Sequence, residues 1–316
     1  MHKFENLAKR VIVAIVAIPV IILCSLLGGY YFFALITLIS TMSLYEFYKL
    51  AENKGIKPLK LVGIITGILI NCTFVSQRMQ TDILGKIFNT DLTLNFLYPQ
   101  FQLFTIILIE FVLLVLIVEL FRKQGSPIIN GSVTLAGVIV ISLCLSTLIG
   151  LRESFSYAFT TQSSFSTYLL KREYFEDVDK LSGWTIASIF ITIWICDTAA
   201  YFGGIRYGKH KLLKSVSPKK TWEGAGFGFV FAILAMVIMK LVVLSYLSWV
   251  NSVIIGALIG FFGQIGDLVE SRFKRDAKVK DSSSLIPGHG GVYDRFDSLI
   301  YISPIVYLYI NLIVLA

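Results

Sequence analysis

Charge is scarce in this 316-residue chain: only 15% of its residues are Asp, Glu, Lys or Arg, against about 25% in soluble domains. With 56% hydrophobic residues and a mean hydropathy of +0.76, that scarcity excludes an ordinary soluble domain. Histidine is scarcer still. The three residues His2, His210 and His289 are scattered, which leaves no nitrogen-rich zinc site. The four cysteines, Cys24, Cys72, Cys144 and Cys196, fall inside apolar stretches with no close pair, so they read as small core residues rather than a redox couple or metal site. No internal repeat is visible. The opening MHKFENLAKR before an apolar run has the layout of a secretory signal, but no small-x-small cleavage pattern follows, and the run reads as an uncleaved first span.

What is present is a series of apolar runs at about 11–27, 30–48, 59–76, 101–121, 133–151, 184–203, 224–247, 250–270 and 298–316. Most approach the roughly 20 residues that a helix needs to cross a bilayer. The expected fold is an all-α integral membrane protein of about nine transmembrane helices. Gly28 and Gly29 leave room for only a helical hairpin between the first two. Residues 77–100 and 152–183 read as outer loops without chemistry. Placing the N-terminus in the cytoplasm collects 21 Lys and Arg on that side against 6 on the other, with Lys240 snorkelling from inside a span. The C-terminus is then on the opposite side. The net charge of +8 fits contact with anionic headgroups, and nothing in its pattern points to nucleic acid. The expected organisation is five spans with outer loops in 1–180, poor in polar residues, and four catalytic spans in 181–316 with cytoplasmic loops at 204–223 and 271–296.

Chemistry concentrates in that second part. The stretch Ser271–Asp297 places Lys274, Arg275, Lys278, Lys280 and Arg295 beside Asp281, Asp294 and Asp297, with a turn at His289, Gly290 and Gly291. Cations for phosphate oxygens, carboxylates for a metal and glycines that expose backbone N–H groups are what a metal-bound polyphosphate needs. Upstream, WICDTAAYFGG puts Asp197 inside a span, one helical turn before Tyr201, and an intramembrane carboxylate is costly unless it faces protein or water. The loop after it carries Arg206, Lys209, Lys211, Lys214, Lys219 and Lys220. Within it, SPKKTWEG reads as a rigid turn at Ser217-Pro218, paired lysines for phosphate, Thr221, an interfacial anchor at Trp222 and a helix start at Gly224. In GQIGDLVES, Asp267, Glu270 and Ser271 share one helical face. Asp197, Asp267, Asp294 and Asp297 can therefore converge at one depth, a hard-oxygen set that suits Mg²⁺. Glu46 reads as a carboxylate near its helix end that snorkels to water.

The pattern Ser271-x-Phe273-Lys274-Arg275-x4-Lys280-Asp281-x-Ser283-x2-Ile286-Pro287-x-His289-Gly290-Gly291-Val292-x-Asp294-Arg295-Phe296-Asp297 resembles the signature of the phosphatidate cytidylyltransferases along its whole length. Asp197-Thr198-x-Ala200-Tyr201, Gly208-Lys209-His210-Lys211, Ser217 to Gly224 and Gly266-Asp267-Leu268 resemble the same family, so the likeness covers about 194–298. One departure is Gly204-Ile205-Arg206-Tyr207-Gly208, where the arginine stands a place later than in many members. The resemblance implies the reaction of CTP with phosphatidate to give CDP-diacylglycerol and pyrophosphate. It implies Mg²⁺ on Asp267 and Asp294, with room for a second cation near Asp197 and Asp297. The candidate catalytic residues are Asp197, Lys274, Arg275, Lys280, Asp281, His289, Arg295 and Asp297. The candidate nucleotide-binding residues are Ser217, Lys219, Lys220, Thr221, Gly290 and Gly291. The expected partners are CTP, phosphatidate in the bilayer and a second copy of the chain as a homodimer; the expected place is a bacterial inner membrane with the site facing the cytoplasm. The alternatives are a CTP-dependent lipid kinase and, further off, an ion-coupled transporter, whose binding groups belong near the midplane rather than at one interface.

Overall fold

The computed structural model describes residues 2–88, 100–160, 178–286 and 290–315. Among them, eight helices are long and apolar enough to cross a membrane, and a shorter apolar segment, Val11–Leu27, makes a ninth. In chain order they are α1 (His2–Leu27), α2 (Gly29–Glu52), α3 (Lys60–Phe88), α4 (Gln100–Phe121) and α5 (Pro127–Gly137), which passes through a π-helical turn (Val138–Leu143) into α6 (Cys144–Thr160). Then come α7 (Val178–Tyr207), strands β1 (Lys211–Leu213) and β2 (Ser217–Thr221), α8 (Trp222–Val242), α9 (Trp249–Asp276) and α10 (Tyr293–Tyr309), which ends in a second π-helical turn (Ile310–Val314). The chain is thus an all-α integral membrane protein with one small hairpin added.

Its outer surface is apolar, as a lipid-facing surface must be: on α4, Leu116 is 63% exposed while its neighbour Val115 is buried. Polar start signals mark where helices re-enter. Thr221 caps α8 by accepting from Gly224 N–H, and Ser248 caps α9 by accepting from Asn251 N–H. Between α1 and α2 the chain reverses at Gly28 and Gly29, both at positive φ. A Cβ on Gly28 would also overlap the Arg152 guanidinium.

Two expectations change. The segments 77–88, 152–160 and 178–183 are helical rather than loop, because α3, α6 and α7 continue past their apolar cores; 89–99 and 161–177 lie outside the described residues. Arg152, counted with the outer loops, is buried. Its guanidinium donates to Ser25 O, Leu26 O, Asp179 and Ser182, and so ties the ends of α1, α6 and α7 together. The basic loop after α7 is ordered as an antiparallel hairpin, with Lys211 opposite Thr221 and Leu213 opposite Ser217. Ser217 and Pro218 therefore lie in a strand, and the turn falls at residues 214–216.

Packing sets up the site. Helices α7, α8, α9 and α10 pack in sequence, and α10 also lies against α2 and α6. Close approach of α9 and α10 depends on Gly266, where a Cβ would stand 2.7 Å from Asp297 O. The two backbones therefore touch beside Asp267 and Asp297.

Candidate active site

Glycine contact between α9 and α10 brings three carboxylates together. Asp267, Glu270 and Asp297 each place an oxygen within 4.8 Å of the others, an arrangement able to hold a metal ion. Asp267 and Glu270 are one turn apart on α9, whereas Asp297 arrives from α10, one turn after its start. Asp197, from α7, faces Asp267 and Asp297 closely enough for their charges to interact. Four like charges this close are unfavourable unless cations offset them. Lys220, at the end of β2, pairs with Asp267. Lys274 stands 2.7 Å from Glu270 and 2.9 Å from Asp294.

Glu270 is 1% exposed, with the Lys274 ammonium 2.7 Å from its Oε2. A buried carboxylate is costly unless cations offset its charge, and with Asp267 and Asp297 Glu270 offers an all-oxygen donor set that fits a hard divalent cation. Asp294 is differently placed. Its oxygens accept from Ser282 N at 3.0 Å, Gly291 N at 2.7 Å and Lys274 Nζ at 2.9 Å. It closes the signature loop on itself, and the positive φ of Gly290 lets the loop turn toward it.

All of these acids and lysines except Glu270 line a cavity of about 900 Å³. Of the residues singled out in the sequence, Asp197, Lys219, Lys220, Thr221, Asp267, Lys274, Asp281, Asp294, Arg295 and Asp297 line it. Ser217, Arg275, Lys280, Gly290 and Gly291 do not line it, and His289 lies outside the described residues. Arg275 instead donates to Val216 O and Val279 O, which joins the hairpin turn to the end of α9. Lys280 is exposed. Arg206 is outside this cavity and borders a separate apolar groove with Tyr207 and Phe227. Val13, Ala14, Ala17, Ile18 and Ile21 of α1 line the same cavity. One cavity is therefore lined by both charged and alkane-like side chains.

The hairpin is held to α8 by Glu223, which accepts from Lys209 N at 3.0 Å and His210 Nδ1 at 2.6 Å. That contact aims the Lys219–Thr221 strand at the acids.

Sequence reasoning missed the place of Glu46. It does not reach water. It is 1% exposed because α2 continues to Glu52 and α10 packs over it. Its carboxylate binds the signature loop, accepting from Ser282 and Ser283 Oγ and from Val292 and Tyr293 N–H. The available signal was a carboxylate in an apolar helix, in a chain whose loop 281–293 is rich in donors.

The Cytidylyltransferase family matches residues 8–313. A phosphatidate cytidylyltransferase of Bacillus subtilis is 40% identical over 142 residues, 44% of this chain and 53% of the relative. One from Synechocystis sp. is 31% identical over 311 residues, 96% of this chain and 97% of the relative. A chloroplastic phosphatidate cytidylyltransferase of Arabidopsis thaliana is 44% identical over 138 residues, 41% of this chain and 33% of the relative. The match to the Bacillus relative spans about half that protein's length, and it is the full-length likeness to Synechocystis that joins the N-terminal helices to the motif region. A match that runs from α1 into the turn after α10 places the whole helical frame, as well as the acidic cavity it builds, in one family: the chain belongs to the cytidylyltransferase family.

Proposed function

We propose that this protein joins CTP to phosphatidate, forming CDP-diacylglycerol and releasing pyrophosphate. The observation that carries the reading is the mixed lining of one cavity, which joins acids and lysines to apolar side chains of α1. A substrate with a charged headgroup and acyl chains needs both kinds of lining, and a nucleoside triphosphate needs only the charged one. The relatives' names support the same chemistry.

In this reading a phosphate oxygen of the lipid attacks the α-phosphorus of CTP. The new P–O bond forms as the bond to the β-phosphate oxygen breaks, and pyrophosphate leaves with that electron pair. No protein nucleophile is needed. The residues position the reactants and offset charge. Lys219 and Lys220 on β2 and Arg295 on α10 meet phosphate oxygens, and Lys274 keeps Glu270 and Asp294 in place. A divalent cation, Mg²⁺ by the hardness of its ligands, would polarise the α-phosphate and shield the leaving pyrophosphate. Asp267, Asp297 and Glu270 would hold it, and Asp197 stands near enough to serve a second cation. Asp294 would join that set only by giving up one of its bonds within the loop. The helices before residue 181 then serve as frame and lipid wall, and those after it carry the reacting groups.

Purified protein incubated with CTP, Mg²⁺ and phosphatidate should yield CDP-diacylglycerol in a lipid mass spectrum; intact phosphatidate with CTP unconsumed would reject the reading. The excess of Lys and Arg on one side supports a cytoplasmic active site in the inner membrane. Leu213 is exposed on β1 and Ser284 on the signature loop. Single cysteines at either place, in a background without the four native ones, should react only with a reagent admitted to the cytoplasmic face. Labelling of intact cells by an impermeant maleimide would reverse the orientation.

A further inference from the structure

We infer that Glu46 is a positioning residue for the reaction, acting from α2 by clamping the two ends of the signature loop. Four donors converge on its carboxylate. Ser282 Oγ at 2.8 Å and Ser283 Oγ at 2.6 Å come from the start of the loop; Val292 N at 3.1 Å and Tyr293 N at 2.8 Å come from its return into α10. Glu46 thus satisfies free N–H groups at the helix start and closes a segment of about ten residues across its mouth. The fit is tight: a Cβ on Gly291 would overlap Ser282 Oγ and Glu46 Oε2, so only glycine leaves room for the carboxylate. Asp294 grips the same segment from the cavity side, accepting from Ser282 N and Gly291 N. The loop is therefore held between two carboxylates, one lining the cavity and one behind it. Asp281, Asp294 and Arg295, which line the cavity, all lie on or beside the clamped segment.

The consequence is specific to a carboxylate. Glutamine has the same shape but accepts with only one oxygen, and its NH₂ would face a backbone N–H, of Val292 or Tyr293, that can only donate. Lys219 and Lys220 are carried by the hairpin, whereas the four bonds to Glu46 all come from 282–293. Loosening the clamp should therefore misplace the loop groups while leaving much of the triphosphate's hold intact.

The inference rests on the proposed cytidylyl transfer for its rate readout, and backbone exchange reads the clamp without it. In detergent-purified Glu46→Gln, kcat should fall at least tenfold with KM for CTP changed less than threefold. Deuterium exchange should accelerate at least tenfold in 281–293 and remain at the wild-type rate in α7 and α8. Ser282→Ala/Ser283→Ala removes two of the four donors and keeps the carboxylate, so it should move both readouts in the same direction by less. Adding it to Glu46→Gln should change little, since those hydroxyls act through Glu46. If Glu46→Gln does not fold, the serine variant alone decides, by showing or failing to show the local exchange and the kcat loss. Wild-type kcat and exchange, or exchange raised equally in every helix, would overturn the inference. A wild-type protein with no transfer activity but the same local exchange response would instead reject the proposed reaction and leave the clamp standing.

Discussion

Replacing Asp267 by asparagine should lower turnover by about 10³-fold or more, while the protein remains folded in detergent. Loss of one preorganised group at a developing charge commonly costs about 10²–10³-fold, and here the same change also removes charge from the set Asp267, Glu270 and Asp297. A 10³-fold loss corresponds to about 4 kcal/mol in the barrier. Two contacts are lost with the charge: the pair with Lys220 and part of the bond accepted from Ser271 Oγ at 3.3 Å. The fold should tolerate this, because Asp267 is surrounded by other acids and its charge repels Asp197 and Asp297. Asp276→Asn is the matching control. That residue is on the same helix and pairs with Lys54 at 2.8 Å, but both partners are exposed and neither lines the cavity. An exposed pair contributes at most about 1 kcal/mol, so activity should stay near wild type. Asp267→Asn with wild-type turnover at saturating Mg²⁺ would remove the acid group from the mechanism.

How far these groups could be read from the chain depends on how local their causes are. The nine spans were legible because hydrophobic length is a local property; α2, α4 and α8 follow their apolar runs to within a few residues. The wall of α1 was not legible, since Val13 and Ala17 look like any lipid-facing pair until α1 is set against α7. The hairpin at 211–221 was hidden because its order comes from Glu223, on the following helix, accepting from the backbone of Lys209 and His210. The acids were identifiable by type, and their grouping required Gly266 to bring α9 onto α10. That contact places Asp297 beside Asp267, while Asp294, which also lines the cavity, is bound to its own loop. Glu46 is the sharpest case: 236 positions separate it from Ser282, so its partners are set entirely by packing of α10 on α2.

The fate of two phosphorus labels tests the central claim most directly, and the expected effect is all or none. CTP labelled at the α-phosphate, given to the purified protein with Mg²⁺ and phosphatidate, should deliver its label to chloroform-soluble lipid. CTP labelled at the γ-phosphate should release its label as pyrophosphate in the aqueous phase. The reason is the bond that breaks: attack at the α-phosphorus leaves the nucleoside monophosphate unit on the lipid and expels the other two phosphates together. A lipid kinase would need similar lysines and acids but would break the terminal bond, sending γ label into lipid and keeping α label in water as CDP. EDTA should stop the transfer. Alpha label in lipid with gamma label in pyrophosphate is the result expected of this site; gamma label in lipid, with alpha label left in the aqueous phase, would contradict the cytidylyl transfer assigned to it.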